Sequence, residues 1–141
     1  MKKRTAIFFV LCLMLFISAL PSQALQWDNG TRGVITPMFT YISLFETSFD
    51  ITSSGRADVA VLIYAPSAHD TGVRADLQQY KNGSWTTIKT WSAAEEGSSC
   101  GLGKSWYVAS GYSYRVVSYG YVYINNVIVE STSITTKSHS Y

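Results

Sequence analysis

The chain has 141 residues, 11 of them Lys or Arg and nine Asp or Glu; three of the basic residues, Lys2, Lys3 and Arg4, stand at the start and leave eight basic against nine acidic groups beyond them. A remainder so close to neutral argues against nucleic acid and anionic membrane as partners. Charged residues are sparse at 14%, aromatic residues reach 14%, and β-branched residues are abundant, a composition that suits pleated, half-buried surfaces and suits helices poorly.

Residues 1–24 read as a secretory signal peptide, expected as an N-terminal signal helix. Lys2, Lys3 and Arg4 supply the positive start, residues 6–20 an almost unbroken apolar run, and Ser22, Gln23 and Ala24 the small-residue site, with cleavage expected between Ala24 and Leu25. The run of about 15 residues is shorter than the ~20 that cross a bilayer as a helix. Cys12 follows Leu11 in the middle of the run, where a lipidated cysteine does not belong. The mature chain is therefore expected outside the cell, with no stable membrane anchor after cleavage.

Cleavage leaves Cys100 as the one cysteine of the mature chain, so no intrachain disulfide is expected, and the domain must rely on its core. Cys100 is expected as an incidental free thiol in a Gly/Ser-rich loop.

After an extended N-terminal segment at 25–38, residues 39–141 are expected to form one β-sandwich domain. Strands are predicted at 39–45, near Phe49, at 56–64, 73–80, 85–91, 104–109, 113–124 and 127–134, about seven in all if the first two are one bent strand. Turn residues cluster at 53–55, 66–68, 95–103 and Gly111. Asn82-Gly83 and Asn125-Asn126 tolerate the positive φ angles of a two-residue type I′ turn, so each pair predicts an antiparallel hairpin. Along 85–91, strict alternation puts Trp85, Thr87, Lys89 and Trp91 on one face and Thr86, Ile88 and Thr90 on the other. The alternation does not say which face is buried.

Short antiparallel strands at this spacing predict an all-β, immunoglobulin-like or fibronectin-type sandwich, with a small barrel as the rival. A Gly-led turn before Tyr114 at the start of the penultimate strand makes Tyr114 the candidate for a tyrosine corner, in which the phenol bonds to upstream backbone. The segment Arg32-Gly33-Val34-Ile35-Thr36-Pro37 leading to Tyr41-Ile42, then Leu77-Gln78-Gln79-Tyr80, Gly83-Ser84-Trp85 and Ile88, then Gly111-Tyr112-Ser113-Tyr114-Arg115-Val116 and Glu130, resembles a family of short secreted proteins of unknown function from Firmicutes. That resemblance implies a Gram-positive, extracellular, single-domain protein and brings no catalytic residues. Cys100 is not part of the pattern.

No set of catalytic or metal-binding residues emerges. Gly101-Leu102-Gly103-Lys104-Ser105 ends like a phosphate-binding loop, but position 98 is serine and no helix is predicted to follow. Ser67, His69 and Asp70 hold the residue types of a hydrolase triad, yet four adjacent loop positions do not converge as separate segments do. His139 lies in a Ser/Thr-rich end expected to fray. Two histidines and one mature cysteine do not make a zinc ligand set, no acidic loop makes a calcium site, and no cofactor is expected. Carboxylate pairs such as Asp58 with Asp76, or Glu95 with Glu96, keep a small glycan-active hydrolase as the alternative; a secreted effector acting by assembly is a further one.

The candidate binding residues are aromatic. Tyr119, Tyr121 and Tyr123 share one strand face by their period of two, and Trp85 and Trp91 share another. These five define an expected surface for an extracellular glycan or protein, the partner classes that a non-enzymatic interaction module would meet. Trp106 belongs to the same aromatic set. The competing expectation is that most of these rings fill the core.

Overall fold

The computed structural model describes residues 33–34, 39–68 and 70–141. The signal peptide, the Ala24–Leu25 cleavage site, most of the 25–38 segment and His69 lie outside the described residues. Among the described residues nine strands run in chain order: β1 Gly33–Val34, β2 Leu44–Ile51, β3 Arg56–Tyr64, β4 Asp70–Lys81, β5 Ser84–Glu96, β6 Ser99–Tyr107, β7 Ser113–Ile124, β8 Val127–Thr135 and β9 His139–Ser140. Among the described residues there is no helix.

The strands make two antiparallel sheets, β1-β2-β3-β6 and β5-β4-β7-β8, with β9 pairing to the start of β7. The sheets pack face to face as a sandwich because buried and outward side chains alternate along β2, β3 and β7, and the buried faces meet. Phe45, Phe49, Val59, Val61 and Ile63 meet Val73, Ala75, Leu77, Val116 and Val122 in one buried cluster. Thr47 and Ser118 join their hydroxyls across the buried space between β2 and β7, so these two polar groups are satisfied by each other rather than left unpaired. Gly120 is required by this packing: a Cβ there would stand 2.8 Å from the Phe45 ring.

Both predicted hairpins form. Asn82 and Gly83 have φ of 52° and 80°, and Asn125 and Asn126 have 51° and 62°, the left-handed pair that a type I′ turn needs.

The largest departures from the expected strand limits are three, each with a physical reason. Residues 39–43 are not strand, because the N–H groups of Thr40, Tyr41 and Ile42 go to the Glu130 carboxylate of β8 at 2.7, 2.9 and 2.8 Å rather than to a neighbouring strand. The Gly/Ser-rich stretch expected as a loop over 95–103 is instead the end of β5 and the first half of β6, with a break at Gly97 and Ser98 where the chain crosses from one sheet to the other. Cys100 and Leu102 carry this segment, pointing into the core opposite Ile63 and Val61 while Gly101 and Gly103 face out. Cys100 is therefore a buried core residue at 2% exposure and not a loop thiol; burial pushes its thiol pKa up, with Glu95 adding to the shift.

The third difference is at the chain's last residues. His139 and Ser140 pair with Tyr114 and Ser113, Tyr141 exchanges backbone bonds with Tyr112, and its ring covers Gly55 in the β2–β3 turn, where a Cβ would meet it at 2.6 Å. The expected frayed end is thus a clasp across one end of the sandwich.

Candidate functional site

The outer face of the β5-β4-β7-β8 sheet collects most of the predicted binding residues. On β7 the even positions Tyr114, Val116, Ser118, Gly120 and Val122 are buried, so Tyr119, Tyr121 and Tyr123 turn outward and are only half-buried. Their rings form a ladder along the strand, with the centroids of Tyr121 and Tyr123 6.3 Å apart. Gly72 on β4 makes room for the last rung, since a Cβ there would approach the Tyr123 ring to 3.2 Å. Burial raises the Tyr123 phenol pKa, with Tyr121 adding to the shift.

Arg74 on β4 lies opposite Tyr119, its guanidinium 5.5 Å from the ring centroid. The same guanidinium makes two parallel hydrogen bonds to Asp76, at 3.0 and 2.7 Å, and Thr90 donates a third to that carboxylate at 2.7 Å. Arg74 is therefore spoken for by Asp76.

The two tryptophans of β5 part company. Leu77 pairs with Lys89 but Gln78 pairs with Thr87, so Ile88 is an unpaired extra residue, a β-bulge. Thr90 and Thr87, which strict alternation puts on opposite faces, both reach outer-face partners, Asp76 and Gln78. Trp91 consequently packs against the core, and Trp85 turns to the outer face beside Tyr80, their ring centroids 5.1 Å apart. The expectation that Trp85 and Trp91 form one surface is corrected by this bulge. Trp106 belongs to neither group: it sits on the free edge of β6 with Lys89 Nζ 4.5 Å above its ring.

Arg115 of β7 completes the Trp85 end, and aromatic bias alone overlooks it. Its guanidinium carbon stands 4.3 Å over the Trp85 ring, and its Nε donates to Gln78 Oε1 at 2.9 Å. A period-two reading of 113–124 already puts Arg115 on the face of Tyr119 and Tyr121. Nothing in residue type marks the bulge that brings Trp85 to it.

The remaining candidates lie elsewhere. Tyr114 is fully buried, donates its hydroxyl to the Ala109 carbonyl at 2.6 Å and accepts from Gln79 at 2.9 Å. Asp58 and Asp76 sit on the outer faces of opposite sheets, so they do not form a pair. Asp58 instead lies directly across from Asp50 in an open depression of about 450 Å³ whose floor includes Ser48, Ala60 and Gly103. The Ser105 hydroxyl and Arg56 hold the Asp58 carboxyl below the usual range, the opposite of what a general acid needs at neutral pH. Glu95 and Glu96 are exposed at the end of β5. The Gly101–Ser105 motif is part of an edge strand, where no helix N-terminus is available to hold phosphate. Among the described residues no group of His, Cys, Asp and Glu is arranged to hold a metal ion. No family model, no curated protein and no solved structure matches this chain.

Proposed function

We propose that the protein is a secreted, non-enzymatic interaction module of the immunoglobulin-like or fibronectin type that binds an extracellular glycan or protein through the outer face of the β5-β4-β7-β8 sheet. The observation that carries the reading is the outward, half-buried ladder of Tyr119, Tyr121 and Tyr123, rings that would be wasted as core and that offer flat faces for stacking. The strand division supports the fold type: β2, β3 and β6 oppose β5, β4, β7 and β8, and the Tyr114 bond to a carbonyl five residues upstream has the form of a tyrosine corner. Export rests on the pattern of residues 1–24 and the Gram-positive source on the sequence resemblance. The hydrolase alternative has less support, because Asp58 and Asp76 stand on opposite faces.

The test is a screen of the purified protein on glycan and peptidoglycan-fragment arrays, with hits titrated by tryptophan fluorescence. Tyr121→Ala should weaken a hit about tenfold or more with an unchanged circular dichroism spectrum. Hits that bind Tyr119→Ala, Tyr121→Ala and Trp85→Ala as well as the parent would overturn the assignment of this face.

A further inference from the structure

We infer that the Arg115–Trp85 end of this face is a subsite for an acidic group, and that the ligand is a carboxylate- or sulfate-bearing glycan; the inference rests on the reading of the sheet face as the binding surface. Of the three arginines among the described residues, Arg56 and Arg74 are each paired with an aspartate two positions on, whereas Arg115 is in no ion pair. Its guanidinium is nevertheless held in place. Trp85 lies under it at 4.3 Å and Gln78 accepts from Nε at 2.9 Å, while Gln78 is itself steadied by Thr87 at 3.3 Å.

With Nε engaged by Gln78, neither of the two terminal nitrogens has an acceptor among the described residues, and a planar fork of this kind matches a carboxylate or sulfate with two parallel hydrogen bonds. The stacked ring fixes the plane of the fork before any ligand arrives, so less side-chain freedom is lost on binding. The opposite end of the face is acidic, with Asp70 and Glu96 in the same row as Tyr123. An acidic ligand would therefore be drawn to the Arg115 end and given a direction along the tyrosine ladder.

A glycan fits this face better than a protein partner. Between Trp85 and the ladder the outward side chains are polar, with Gln78, Thr87, Thr90 and Ser92 beside the Arg74–Asp76 ion pair, and Val117 is the one aliphatic chain in the central rows. Protein interfaces place apolar side chains at their centre. Rings alternating with hydroxyls suit a ligand that presents both sugar faces and hydroxyl groups.

The experiment titrates the purified protein with oligogalacturonate, a sulfated oligosaccharide, a neutral oligosaccharide of equal length and poly-glutamate, following tryptophan fluorescence and heat. The inference expects an acidic sugar to bind at least tenfold tighter than the neutral one. Arg115→Gln should erase that preference, Arg115→Lys should restore it in part, and 0.5 M salt should reduce it. The two acidic sugars separate carboxylate from sulfate as the source of the charge. Equal binding of acidic and neutral sugars, unaffected by Arg115→Gln but weakened by Tyr121→Ala, overturns the acidic subsite and leaves the aromatic surface standing. Poly-glutamate binding as tightly, with the same Arg115 dependence, overturns the glycan class. Failure of every sugar to bind overturns the subsite together with the glycan reading of the face.

Discussion

Tyr114 is the residue on which most local order converges. Its ring fills the core, and its hydroxyl serves two partners at once, donating to Ala109 and accepting from Gln79. Tyr114→Phe leaves the Ala109 carbonyl and the Gln79 amide without that partner, and should lower stability by about 0.5–1.5 kcal/mol in urea unfolding. Gly120 tests packing in the other direction. The methyl of Gly120→Ala would press on the Phe45 ring and on Ile63, and because both are in a filled core the expected loss is about 1–3 kcal/mol, with a lowered thermal midpoint. The residue scale also separates what is legible from what is not. A Gly-led turn and a following tyrosine point to position 114, but the carbonyl that receives its proton is a matter of how the β6–β7 connection folds back.

At the scale of elements, the two flanks of the sandwich are closed by different means. On one flank Lys89 of β5 lies over Trp106 of β6. On the other, Glu130 of β8 takes three successive backbone N–H groups from the segment that leads into β2. Burial opposes the charge on Glu130, yet the bonds from Ile42, Thr40 and Tyr41 outweigh it and lower its pKa. A carboxyl whose folded value lies below its unfolded one stabilises the fold fully above the unfolded value and stops doing so as pH falls through the folded one. The thermal midpoint should therefore hold its Glu130 contribution at pH 5 and above and lose it progressively as pH falls below the ordinary glutamate value of about 4.3. Glu130→Gln, which turns an NH₂ toward N–H donors, should cost on the order of 2 kcal/mol at pH 7 and show a smaller decline in acid. Equal acid sensitivity in parent and variant would show that other carboxyls govern it. The bulge at Ile88 acts at this scale too: one extra residue in β5 sends Trp85 to the binding face and Trp91 to the core.

Across the whole molecule, closure is what protects Cys100. The thiol lies between the sheets with its pKa raised by burial, and a thiolate-dependent reagent has no route to it while both sheets are in place. Labelling by a disulfide reagent at pH 7 should be slow and track the population of open protein, accelerating across the urea transition. Rapid stoichiometric labelling under native conditions would contradict this closure. The 139–141 clasp belongs to the same level, since it ties the β7 end to the β2–β3 turn.

Local chemistry in the chain determined the two hairpins, the helix-free, strand-rich character of the described residues and the sharing of one face by Tyr119, Tyr121 and Tyr123, because turn dihedrals and a period of two depend on neighbours a few positions apart. Tertiary structure decided which face points outward, that β6 begins in a glycine-rich stretch, and that Ile88 splits the tryptophan pair. Those outcomes depend on which side of each strand finds another sheet to pack against, and on whether a partner strand shifts register by one residue. Neither is encoded in the alternation of a single segment. The surface proposed for binding therefore joins a ladder written locally in β7 to an arginine–tryptophan pair that exists only once β4, β5 and β7 lie side by side.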